Sequence, residues 1–143
     1  MFLKRKEISI KRMAQKYIKD DIVMYDNRIH TIIDTIGLNN YELSYVRHPV
    51  NQAELSGFPI TPKILEKNGW KFLKHHERNS YDDVSWDSYH KPAETNISLI
   101  FYREEEAFFP FLYTQEISEK PIRYIHQLQH LLFGLGLNSE MEV

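Results

Sequence analysis

The chain has 143 residues, a formal net charge of -2, 42% hydrophobic and 13% aromatic residues, and no cysteine. That length allows one ordinary domain or two very small ones, and nine Tyr with eight Phe mark a folded, strand-favouring chain rather than a disordered one. The missing thiols exclude a disulfide framework, a thiolate zinc site and a cysteine nucleophile; with no apolar run near the roughly 20 residues of a membrane span and no apolar signal core at the start, a cytoplasmic protein away from membranes is expected.

Charge is unevenly spread along the chain. Residues 1–19 hold Lys4, Arg5, Lys6, Lys11, Arg12, Lys16 and Lys19 against Glu7 alone, so this basic arm carries +6 and the remainder -8. A basic segment binds phosphate backbones by releasing counterions, which makes Lys4, Arg5, Lys6, Lys11 and Arg12 the candidate nucleic-acid contacts; the plainer alternative is a solvated terminus. Ile8, Ile10, Met13 and Tyr17 leave room there for a strand or a short helix.

From residue 20 to 58 the pattern predicts a small β module. Ile22–Tyr25, Ile29–Ile36 and Tyr41–Val46 read as strands, joined by Asp26-Asn27 and by Gly37–Asn40, which are turn chemistry. The result is an antiparallel meander, open to closure as an SH3-like barrel, with Val50–Phe58 as an extra edge. So small a sheet needs further strands or a helix to cover it.

Residues 59–143 predict an α-β-β-β-α module, able to pack with the first as one compact domain. Thr61 suits an N-cap, Pro62 the first helical position and Asn68-Gly69 a stop, so a two-turn helix is expected between them. Trp70–Leu73, Val84–Trp86, Ile97–Tyr102 and Phe108–Tyr113 read as strands, and Pro110 belongs at an edge or bulge. The last element is a long helix, capped near Ser118 or Glu119 and ended by Gly134 or Gly136. At about 100° per residue, Ile122, Tyr124, Ile125, Leu128, Leu131, Leu132, Phe133 and Leu135 fill one broad arc, which suggests packing on the sheet. His126 falls at its boundary, His130 opposite and Gln129 inside, where a buried amide requires a backbone partner. The fold class expected is therefore α+β.

Three groups carry candidate chemistry. His126 and His130, one helical turn apart, could chelate a metal, with His75, His76 or Asp87 as a third ligand. The zinc-protease pattern requires a glutamate after the first histidine, and Gln127 stands there, whose amide cannot act as a base. His75-His76-Glu77 with Asp82, Asp83 and Asp87 forms a polar cluster in an expected loop, where a solvated loop is the plainer reading than an acid and base pair. Trp70, Trp86, Phe108, Phe109, Phe111 and Tyr113 are too many to bury with certainty in one short region; most are assigned to the core, the rest to a stacking or partner surface. No phosphate loop or nucleophile elbow is present, and no cofactor is expected.

The blocks Pro59–Trp70 and Ile122–Gln129 resemble a family of small uncharacterised proteins of gut Bacteroidota and their prophage-like elements, which share "P-(I/L)-T-x-x-(I/L)-L-x-K-x-G-(F/W)" and "Y-(V/I)-H-Q-L-Q". A weaker likeness extends to Asp21–Tyr25, while residues 1–15 lie outside it. The resemblance implies a phage or mobile-element context and no activity, cofactor or catalytic residue. The expected function is a non-catalytic binding or accessory protein that contacts a protein or nucleic acid and is able to self-associate. The alternative is a metal-dependent hydrolase built on His126 and His130.

Overall fold

The computed structural model describes residues 16–81, 83–92, 96–118 and 120–143. The chain divides between Phe58 and Pro59 into two units, each with its own five-stranded antiparallel sheet. The α+β class expected from sequence is the one observed.

In the first unit β1 (Ile22–Tyr25), β2 (Arg28–Ile36), β3 (Asn40–Leu43), β4 (Val50–Asn51) and β5 (Ser56–Gly57) lie in the order β4-β3-β2-β1-β5. Asp26 and Asn27 both take left-handed backbone, φ 50° and 62°, which makes the two-residue turn between β1 and β2 one whose twist matches its strands. β3 stops at Leu43, short of Val46, because Tyr45 is also left-handed at φ 63° and breaks the alternation. The Val50–Phe58 edge divides: β4 joins β3 on one side, and β5 joins β1 on the other. Between them a 3-10 turn, Gln52–Glu54, is capped by the Asn51 side chain, which accepts from the Ala53 N–H at 2.9 Å. With two-residue outer strands that do not pair with each other, the sheet stays open, which corrects the SH3-like barrel.

Tyr17, Val23, Ile32, Tyr41, Leu43, Val50 and Leu55 form the core of this unit. Tyr17 is fully buried, with its ring edge-on to Tyr41 at 5.7 Å. The Tyr41 hydroxyl accepts from the Lys16 and Tyr17 N–H groups at 3.2 and 3.3 Å and donates to Gln52 Oε1 at 2.5 Å. The end of the basic stretch is thereby part of the fold. Lys4, Arg5, Lys6, Lys11 and Arg12 lie outside the described residues.

The second unit runs α1 (Pro62–Lys67), β6 (Lys71–His76), β7 (Trp86–His90), β8 (Ile97–Tyr102), β9 (Ala107–Leu112), β10 (Gln115–Glu116) and α2 (Ile125–Gly134). Thr61 caps α1, accepting from the Ile64 N–H at 3.2 Å, and Gly69 turns the chain out at φ 87°. The sheet is a meander in the order β10-β9-β8-β7-β6, with more strands than the α-β-β-β-α scheme holds. Pro110 sits in β9, and its carbonyl accepts from the Ile117 N–H at 3.1 Å. Since N–H and C=O of one strand residue point the same way, its missing donor faces β10, where pairing is only two residues long.

α2 begins at Ile125 rather than near Ser118; Glu119 lies outside the described residues. The segment before it is spent as strand: Ile122 and Phe108 exchange hydrogen bonds at 2.7 and 2.9 Å, and the Ile60 N–H donates to the Arg123 carbonyl at 2.9 Å. Gln127 Oε1 then accepts from the Arg123 and Tyr124 N–H groups at 2.8 and 3.1 Å, satisfying donors that open the helix. Pro59 bridges Tyr124 directly, so the two sequence blocks that carry the resemblance lie side by side. At the far end Gly136, φ 72°, donates to Phe133 and Leu137 donates to Leu132, a left-handed cap. The buried stripe is Ile125, His126, Leu128, Gln129 and Leu132, which leaves out much of the apolar arc expected and takes in the boundary histidine; Phe133 is exposed.

Register assigns the faces of the second sheet. Tyr89 lies opposite Phe72 and Leu99, and Phe108 opposite Phe101; with Ile97 these make the core face, where Tyr89, Ile97, Leu99 and Phe108 are buried. The other face carries Ser88 opposite Lys74 and Ile100, Trp86 opposite His76 and Tyr102, and Ser98 opposite Phe111. A bulge sets this phase in β6, because Phe72 pairs with Tyr89 and Lys74 with Ser88, leaving Leu73 as an extra residue.

Candidate functional site: an aromatic groove on the open sheet face

The open face holds a groove of about 550 Å³. Its floor is Trp86, Ile100 and Phe111, its walls are Leu73 and Tyr113, and Lys74, Ser88, Ser98 and Thr114 supply polar groups. A second hollow, about 610 Å³, shares Leu73, Ser98, Tyr113 and Thr114 with it and continues past His90 and Lys91. These volumes are those of ligand sites, and a few polar groups in an apolar lining is the composition such sites show.

Local structure explains the projecting walls. Leu73 is 62% exposed because the bulge turns it and Lys74 together toward Ser88. Tyr113 is 70% exposed in the turn between β9 and β10, at φ 59°, a conformation that costs a bulky L residue of order 1 kcal/mol. Its N–H donates to the Asn96 carbonyl at 2.7 Å, which fixes the turn beside the start of β8. The Trp86 ring stacks on His76 at 5.0 Å and 18°, with Lys74 Nζ 6.0 Å from its centroid. Of the six aromatics singled out in sequence, Trp70 and Phe108 are core, Trp86, Phe109 and Phe111 are half-buried, and Tyr113 projects.

The polar cluster expected in a loop is on strands instead. His75 is in β6 and Asp87 in β7, opposite each other on the core-facing side, while His76 faces the groove. The reading as loop fails because alternation in β6 and β7 is between polar side chains, which periodicity of apolar residues does not detect. His75 Nδ1 meets Asp87 Oδ1 at 2.5 Å and Nε2 meets Glu77 Oε2 at 2.7 Å, with Arg103 Nη2 3.5 Å from Asp87 Oδ2. Bonding to Glu77 first and Asp87 second raises the His75 pKa above its ordinary 6.5, and the Glu77 carboxyl is held below its ordinary 4.5 by the same bond. Both ring nitrogens are thus engaged by carboxylates, which favours the protonated form of the ring. Asp83 lies nearby against Arg78, 3.3 Å from Nε; Asp82 is outside the described residues.

His126 and His130 do not join this cluster. His126 is 3% exposed, stacked on Tyr124 at 5.9 Å and edge-on to His130 at 5.8 Å. Among the described residues no group of three His, Cys, Asp or Glu is placed to hold a metal. The groove residues Leu73, Lys74, Ser88, Ser98, Ile100 and Thr114 went unnoticed in the sequence; the alternation Ile97-Ser98-Leu99-Ile100 is the one signal that two faces of β8 differ.

Fold and site together define an α+β chain with an open, aromatic sheet face. The chain matches no protein-family model, no curated protein and no solved structure. No helix among the described residues is long and apolar enough to cross a membrane.

Proposed function

We propose that this chain is a non-catalytic binding or accessory protein, of phage or mobile-element origin as the resemblance implies, that takes a protein or nucleic-acid partner on the open face of its second sheet. One observation carries the reading: Leu73 and Tyr113 stand 62% and 70% exposed around Trp86, Ile100 and Phe111, although the opposite face already supplies a buried core. An apolar concavity flanked by projecting side chains is the surface expected of a binding site. The histidine cluster supports the same reading, because its ring is committed at both nitrogens.

The test is selection of ligands from a random peptide library and a random oligonucleotide pool, each on the whole chain. Winners should change the tryptophan emission of the parent but not of Trp86→Phe, and lose binding to the double variant Leu73→Ser with Tyr113→Asn. Ligands that bind this variant as well as the parent would remove the groove from the function.

A further inference from the structure

We infer that the partner of the groove is a single strand of nucleic acid, whose bases stack on its aromatic residues while its phosphates meet lysines. This rests on the reading of the open face as a binding surface and names what it binds.

Charge points to a polyanion. In a chain of net charge -2, the residues with formal charge among the described ones lining the two hollows are Lys74 and Lys91, and no described carboxylate is among them. Glu116, opposite Phe111 on the outer strand, is outside the lining. The sequence repeats the preference in its basic arm, +6 over nineteen residues, so cationic character recurs in separate stretches of an acidic chain. An apolar peptide would satisfy Leu73 and Ile100 and leave Lys74 without a counter-charge from its ligand.

Aromatic geometry points to bases. An antiparallel sheet with its core on one face and aromatic side chains on the other is the architecture on which RNA-recognition modules stack two or three bases. Here Phe111 and Tyr113 follow one another at the end of β9, and Trp86 stands two strands away with His76 already stacked on it. Stacking is tolerant of sequence, since every base has a π face, and Ser98 and Thr114 add hydroxyls that can donate or accept at base edges and phosphates. A duplex hides its base faces, so a single strand is the form that fits.

The experiment uses the full chain with fluorescein-labelled dT15, U15 and a 15-base-pair duplex, read by anisotropy and by tryptophan emission, with Trp86→Phe giving the background from Trp70 that is subtracted to leave the Trp86 signal. The expected result is binding of both single strands above the duplex, with Trp86 quenched and affinity falling as salt rises. Tyr113→Asn, which keeps a residue suited to left-handed backbone, should weaken binding about tenfold, the loss of one stacked base. Lys74→Gln should lower the salt slope by about 0.7, one phosphate contact on a single strand. Both side chains are exposed, and unchanged circular dichroism verifies the fold. If the oligonucleotides bind but neither variant matters, the nucleic acid is held elsewhere and the inference is overturned. If no oligonucleotide binds while an acidic, aromatic-rich peptide quenches Trp86, the inference fails and the binding-module reading survives. If neither class affects Trp86, both fall.

Discussion

Two glycines two residues apart at the end of α2 should respond to the same substitution with opposite signs. Gly136 is left-handed at φ 72° and Gly134 is the last helical residue; a methyl group added at either meets nothing within 4 Å, so sterics with neighbours drop out. At Gly136 an L residue costs roughly 1–2 kcal/mol in the left-handed region, offset by about 0.4–1 kcal/mol of unfolded-chain entropy, for a net loss of about 1 kcal/mol. At Gly134 alanine removes a helix penalty of roughly 0.5–1 kcal/mol, taken at the lower end because the position is terminal. For a unit of this size 1 kcal/mol is about 4–8 °C in Tm, so Gly136→Ala should melt about 4–8 °C lower and Gly134→Ala about 2–4 °C higher. Trp70, 1% exposed in the same unit, reports unfolding by fluorescence. Shifts of the same sign for both variants would refute the left-handed cap.

The His75 cluster makes stability depend on pH in a defined window. A raised histidine pKa contributes fully below 6.5 and is lost as pH rises through the raised value, while a lowered carboxyl contributes fully above 4.5 and is lost as pH falls through the lowered one. Glu77→Gln should therefore lower Tm most between pH 4.5 and 6.5 and converge on the parent in alkali; a gap that widens with pH would contradict the charge state assigned to His75. Asn68 donates to the Ile64 and Glu142 carbonyls at 2.8 and 2.7 Å and accepts from the Glu142 N–H at 2.8 Å, so Asn68→Ala should cost about 1–2 kcal/mol by urea titration and expose residues 138–143 to protease. Elemental analysis of purified protein should find zinc below stoichiometry, since structural and catalytic zinc sites draw on three or four ligands. A stoichiometric metal that disappears in His130→Ala would restore the hydrolase alternative.

Sequence was legible where one local signal outweighed the rest. Thr61-Pro62 and Asn68-Gly69 bracket α1 because cap, ring and left-handed glycine each have one use at those positions, and β8 coincides with its apolar run. β6 was expected to end at Leu73 and β7 to run from Val84 to Trp86, short of their ends at His76 and His90, because His75 bonds Asp87 across the strands and His76 stacks on Trp86, arrangements that apolar periodicity cannot register. The start of α2 was misplaced because Ile122 could serve helix or strand equally, and a bridge to Phe108, distant in sequence, decides between them. The groove was invisible for a similar reason: which of Trp86, Phe109 and Phe111 face outward depends on register, set by pairing partners rather than by composition.

The extra residue in β6 has its own consequence for how this surface can change. Without Leu73 the strand would run from Phe72 to Lys74 in unbroken alternation, Lys74 still opposite Ser88 and His75 still opposite Asp87. Leu73 is thus supernumerary to the sheet, and one wall of the groove can be lengthened, reshaped or deleted as a detachable fitting, with the hydrogen-bonded frame behind it keeping count as before.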